Sequence, residues 1–200
     1  MSKPKNLKEM MFLVIATWFG SSLIPPPKFV RGFAGTYGTF FSLPFCYLVV
    51  TISSEYFFIF TDNKSFFHIG LGLIIFLLTS LFIFILGLLV IEDAERIIGP
   101  STDWQGKVRS HDLNQIVIDE TLGMLITCFP MVIFDLKSID IPIIFWYILA
   151  FILFRFFDIF KIWPACYFDA TPTPMNIMLD DVVAGVYAGL VLCFAISPFF

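Results

Sequence analysis

Three short polar stretches interrupt an otherwise apolar chain: Ile118-Asp119-Glu120, the run from Phe154 to Lys161 (FRFFDIFK), and Leu179-Asp180-Asp181. Carboxylates beside apolar runs are costly in a bilayer unless they are paired or hold an ion. Asp180 and Asp181, read as opening an apolar helix, repel each other where a single acid would suffice as a cap; a bound cation relieves that repulsion. Oxygen donors without histidine suit a hard ion, Mg²⁺ or Mn²⁺, rather than zinc or copper. Asp119, Glu120, Asp158, Asp180 and Asp181 are therefore the candidate metal ligands, with capping and salt bridges as the plain alternative. Arg155, Asp158 and Lys161 recur every third residue and form one drifting stripe on a helix. Either the two cations flank an anionic group, or Asp158 pairs with its neighbours and ties the helix end to the interface.

A fourth element is the run from Gly32 to Thr39 (GFAGTYGT), read as a glycine-rich turn leading into a spanning helix. Backbone N–H groups of Gly35, Thr36 and Gly38 at such a helix start can hold a phosphate. The same glycines serve equally as a tight turn or packing site. Behind the aspartate pair, Asp181, Ala184, Gly185, Ala188 and Gly189 share one helix face. Gly123 lies one turn behind Asp119-Glu120, and Thr127 a turn further. Small residues so placed let helices approach closely, which predicts that the five carboxylates share one cavity.

Those groups must be positioned by membrane helices. Of 200 residues, 58% are hydrophobic and 27 are phenylalanine, far above the apolar share of soluble domains. Residues 40–60 and 67–91 read as spans, and 141–157 and 182–200 as shorter ones. The stretch 10–24 is too short to span and reads as an interfacial or re-entrant helix. The basic-then-apolar start resembles a signal peptide but is read as retained, for want of a small-residue cleavage site. Residues 122–134 carry Pro130 and read as a buried or partly spanning helix.

Threading these segments places the N-terminus, a loop over 92–118 and the segment 155–181 on one side, with the turns near Lys64 and Lys137 opposite. Ten cations against two then mark the first side as cytoplasmic and put the C-terminus outside. A net charge of −4 without a basic run argues against nucleic acid as a partner. Cys46, Cys128, Cys166 and Cys193 show no CxxC or CxxH spacing and read as small hydrophobic filler. His68 and His111 lie apart from the carboxylates, and no GxSxG elbow or HExxH motif occurs. One all-α domain over 1–200 follows: a multi-pass membrane helical bundle with short interfacial or re-entrant helices.

From Trp18 to Ala188 the chain resembles the phosphatidylglycerophosphatase A family. Four blocks carry the resemblance: Phe19-Gly20-Ser21 through to Gly35-Thr36-Tyr37-Gly38; Ile118-Asp119-Glu120 with Gly123-Met124 and Ile126-Thr127; Phe154 to Lys161 with Trp163-Pro164 and Phe168-Asp169; and Ile177 to Asp181 with Ala184-Gly185. Departures from the family pattern are Ile162 in place of proline, Ala34 before Gly35-Thr36, the stretch from Thr171 to Asn176 in place of a glycine-rich one, and an apparent insertion over 26–33. None removes a carboxylate or Lys161.

The resemblance implies a Mg²⁺-dependent enzyme of the bacterial inner membrane that removes the terminal phosphate of the lipid phosphatidylglycerophosphate. The catalytic set would be Asp119, Glu120, Asp158, Lys161 and Asp181, with Arg155, Lys161, Gly35, Thr36 and Gly38 on the substrate. Two rivals remain: a lipid head-group transferase, which lacks its Asp-Gly-x-x-Ala-Arg run here, and a small ion carrier using intramembrane acids. Direct attack by water and an aspartyl-phosphate route are both open at this stage.

Overall fold

A computed structural model describes residues 4, 6–23, 34–58, 66–102, 108–109, 111, 113, 115–171 and 173–200. Eight α-helices are found among them: α1 (Leu7–Ala16), α2 (Ala34–Phe58), α3 (Phe66–Ile98), α4 (Ile118–Thr127), α5 (Pro130–Ile133), α6 (Ile143–Phe160), α7 (Ala165–Asp169) and α8 (Pro174–Ile196). The only strands described are β1 (Ser101–Thr102) and β2 (Val108–Arg109), an antiparallel ladder pairing Ser101 with Arg109. The helical bundle read from composition is thus the observed architecture. α2, α3, α6 and α8 are each long and apolar enough to cross a membrane.

Their outer faces carry exposed Leu77, Phe82, Leu89, Ile144, Ile152 and Phe194, side chains that lipid rather than water would cover. At 33 residues α3 is about 50 Å long, well beyond the roughly 30 Å hydrocarbon core. Its last two turns carry Glu92, Asp93, Glu95 and Arg96, charges that a hydrocarbon layer disfavours. These residues are helical, so the loop expected from residue 92 begins only at Gly99.

α4 is the centre of the bundle. All its residues except Glu120 and Ile126 are buried, and it packs against α2, α3, α6 and α8. The helix stops at Cys128, where Pro130 cannot donate to the preceding turn and instead opens α5. The expected buried helix over 122–134 is this broken pair. Its polar side chains turn inward onto the backbone: Thr121 Oγ1 donates to the Val117 carbonyl and Thr127 Oγ1 to the Gly123 carbonyl, both at 2.9 Å.

The bundle has two distinct ends. At one, Glu9 of α1 pairs with Arg96 of α3 at 3.7 Å, the Val117 N–H donates to the Ala16 carbonyl at 2.9 Å, and the start of α2 lies against the start of α4. At the other, Lys137 pairs with Glu55 at 3.8 Å and the Phe134 ring meets that of Phe200. α4 with α5 therefore runs from one end to the other, and the C-terminus lies at the end opposite α1. α1, only ten residues long, stays at its own end.

The start of α8 departs from expectation. Asp180 and Asp181 do not open the helix; α8 begins at Pro174, and the pair lies about two turns further on. Thr173 is the N-cap, its hydroxyl accepting from the Asn176 N–H at 3.2 Å, and Pro174 follows at the first helical position, where its missing N–H costs nothing. Asn176 Nδ2 also donates to the Thr171 carbonyl and hydroxyl, at 2.8 and 2.7 Å. Thr171, Thr173 and Pro174 thus serve to cap α8. The run over 32–39 is likewise helical from Ala34, while residues 32–33 and the apparent insertion over 26–33 lie outside the described residues.

Candidate active site

The polar stretches come together at the end of the bundle that holds α1. α4 brings Asp119 and Glu120 in its first turn, α6 brings Arg155 and Asp158 in its last turns, Lys161 follows α6, and α8 brings Asp180 and Asp181. Close helix contact makes this possible. A side chain on Gly123 would meet the Phe154 ring and, at 2.7 Å, the Asp181 carbonyl oxygen; one on Gly185 would strike the Gly123 carbonyl. Thr127 Oγ1 also reaches the Gly185 carbonyl at 3.4 Å. The face from Asp181 to Gly189 thus packs on α4, as its small residues predict.

Arg155 joins three helices. Its Nη1 lies 2.6 Å from Asp158 Oδ2, 3.4 Å from Glu120 Oε1 and 3.4 Å from Thr39 Oγ1 of α2. The internal salt bridge considered for the stripe is therefore present, but it does not exhaust the guanidinium, whose Nε is buried without a hydrogen-bond partner. Lys161 leaves the stripe. It closes α6 in the left-handed region (φ 41°), its N–H donating to the Phe157 carbonyl, and its Nζ lies 2.5 Å from Asp180 Oδ2 and 2.6 Å from Asp169 Oδ1 of α7. Burial alone pulls the Lys161 ammonium down, yet the Asp180 and Asp181 carboxylates outweigh it and hold its pKa above the ordinary lysine value. Lys161 is a fixed positive charge.

Asp181 is the most enclosed acid, 3% exposed, with Asp158, Asp180, Asp119 and Glu120 all near enough to act on it as like charges. Among the described residues no salt bridge reaches it. Five carboxylates face two cations here, and every carboxylate oxygen is a hard donor, the type a divalent cation takes. Among the described residues, no three His, Cys, Asp or Glu side chains are arranged to hold one ion together. Arg155 and Lys161 engage Asp158, Glu120 and Asp180.

The glycine run divides. Gly35 is buried beside the cluster, where a Cβ would fall on Glu120 Oε1 and lie 3.4 Å from Arg155 Nη1. Gly38 lies against Val117, and Thr36 is half-buried. Two polar contacts escaped sequence reasoning. Thr39 is an uncharged residue at the end of the glycine run, and Asp169 had only its place in the family-like block to mark it. His111 stands apart, its Nδ1 2.9 Å from Glu95 Oε2, and the His68 side chain lies outside the described residues.

Fold and site together define a multi-pass helical membrane protein with an acidic cluster and two cations gathered at one end of its bundle. The sequence pattern of phosphatidylglycerophosphatase A matches residues 14–196, and the chain belongs to that family and is a phosphatase. It is 32% identical over 202 residues to phosphatidylglycerophosphatase A of Haemophilus influenzae, covering 98% of both chains. Against phosphatidylglycerophosphatase A of Escherichia coli K12 it is 38% identical over 85 residues, 42% of this chain and 45% of that one. No solved structure matches it.

Proposed function

We propose that this enzyme hydrolyses the terminal phosphate of phosphatidylglycerophosphate, in a Mg²⁺-dependent reaction, to phosphatidylglycerol and inorganic phosphate. Family membership supports the substrate. The observation that carries the chemistry is the convergence of α4, α6 and α8 on buried Asp119, Asp180 and Asp181 and half-buried Glu120 and Asp158, with Arg155 and Lys161 beside them.

Asp119, Glu120, Asp158, Asp180 and Asp181 would hold the ion. Bound there, Mg²⁺ supplies neutralisation of phosphate oxygens and lowers the pKa of an attacking water. Lys161 and Arg155 stabilise the charge on the phosphoryl oxygens in the transition state. Both are held in place by carboxylates before substrate arrives, so little reorganisation accompanies the reaction. The buried start of α2 at Gly35 leaves room for Glu120 and Arg155 to meet. The acyl chains remain in the bilayer while the head group enters at this end of the bundle, which faces the cytoplasm of the bacterial inner membrane if the excess of Lys and Arg on that side sets the orientation.

The test is phosphate release from phosphatidylglycerophosphate by purified protein, with chelator, with Mg²⁺ restored, and with Asp158→Asn and Asp181→Asn. Chelation and either substitution are expected to remove activity by at least about a hundredfold, and Mg²⁺ to restore the wild type. Full activity after metal removal would overturn the metal mechanism. Turnover of phosphatidic acid in preference to phosphatidylglycerophosphate would overturn the substrate. Phosphate trapped covalently on the protein would replace water attack by an aspartyl-phosphate route.

A further inference from the structure

Lys161 is held from two sides. Asp180 belongs to the buried cluster, whereas Asp169 lies on α7, outside it, and is 40% exposed at its side chain. Nothing in the fold of α7 calls for a carboxylate there: Asp169 is its last residue, where a negative charge faces the negative end of the helix dipole. Its side chain accepts from Lys161 Nζ at 2.6 Å.

The geometry points to Asp169 as the positioning residue for Lys161 in phosphate recognition, an inference that rests on the function proposed above. An ammonium has three donors. Asp180 and Asp169 occupy two, which leaves one for a phosphate oxygen and fixes its direction. The backbone contributes to the same end: Lys161 sits at φ 41°, in the left-handed region, so the chain turns out of α6 at that residue, and α7 follows four residues later. A lysine stem has four rotatable bonds and a mobile, strongly hydrated head. With Asp180 alone the ammonium could swing toward the other acids of the cluster; Asp169, on a different helix, is a second anchor that restrains it.

Asp169 touches neither substrate nor the reacting atoms on this view, so its effect passes wholly through Lys161. A double-mutant cycle reads that directly. Purified Asp169→Ala, Lys161→Ala and the double variant are assayed for phosphate release and for inhibition by inorganic phosphate, with the thermal midpoint in detergent followed in parallel. Asp169→Ala is expected to lower kcat/KM by about tenfold and to weaken phosphate inhibition, by misplacing a group that must be oriented. The double variant should be no less active than Lys161→Ala. Asp169→Asn, which keeps an acceptor oxygen, should recover part of the loss.

Multiplying effects in the double variant would overturn the inference, because Asp169 would then act independently of Lys161. Full activity of Asp169→Ala with an impaired Lys161→Ala would overturn it while leaving the proposed function standing. Full activity of Lys161→Ala would remove Lys161 from the proposed mechanism and this inference with it.

Discussion

Gly123 and Gly185 meet backbone to backbone: a side chain on Gly185 would have to occupy the place of the Gly123 carbonyl oxygen. That contact sets how near α4 stands to α8, and hence how near Asp119 and Glu120 stand to Asp180 and Asp181. Packing and chemistry share one point of the fold.

Gly185→Leu should therefore force α4 away from α8. A cost of about 1–3 kcal/mol is expected from overpacking, together with loss of activity, because the carboxylates separate. Gly189→Ala provides the contrast. Its Cβ would meet the Ile126 carbonyl at 3.4 Å, a tight but yielding contact, so this variant should keep its thermal midpoint within a few degrees. Thermal unfolding in detergent beside a phosphate-release assay separates the two, and equal tolerance of both substitutions would contradict the close contact.

Gly35→Ala acts on the site with little effect on the fold. The added methyl falls on the end of the Glu120 side chain, which can rotate aside, and crowds Arg155. Activity should fall by about tenfold or more while the unfolding midpoint stays near wild type. A stable, fully active Gly35→Ala protein would show that Glu120 need not lie where it does.

Asp181→Asn should raise stability and remove function together. Four neighbouring carboxylates act on Asp181 against the attraction of Lys161 and Arg155, and no salt bridge reaches it among the described residues. Neutralising it in metal-free protein relieves repulsion, so the midpoint in chelator should rise by a few degrees. Wild-type protein should gain stability when Mg²⁺ is added, by about 2.7 kcal/mol at a hundredfold excess over its Kd, and the variant much less. An Asp181→Asn protein less stable than wild type in chelator would mean that the carboxylate is already compensated.

Arg155→Lys keeps the charge but not the reach. The guanidinium Nη1 meets Asp158, Glu120 and Thr39, on three helices; a lysine ammonium sits on a shorter stem and is more strongly hydrated, so it would not hold all three from the same place. A loss of about ten- to a hundredfold in kcat/KM is expected, with Thr39→Ala giving a smaller loss in the same direction. Phosphate-release kinetics on both variants decide it, and a fully active Arg155→Lys would reduce Arg155 to a simple counter-charge.

The sequence by itself determined the helices and the ingredients of the site. Long uncharged runs specify spanning helices because the bilayer forbids unpaired backbone, and that constraint is local. Glycines and alanines at helical spacing behind each acid pair marked the faces that pack, because removal of a side chain has one main consequence there. Where α8 begins was misread: hydropathy places a boundary at the last charge, whereas Thr173 and Pro174 place it seven residues earlier through capping. Only the tertiary structure decided which cation holds which acid. Arg155 and Lys161 lie six residues apart in one run, yet one turns toward Glu120 and Thr39 and the other toward Asp169 and Asp180. That choice depends on the depth and rotation of α2, α4, α7 and α8 relative to α6, and on the left-handed turn at Lys161 that takes it off the helix stripe. Spacing along one helix cannot encode the positions of four others.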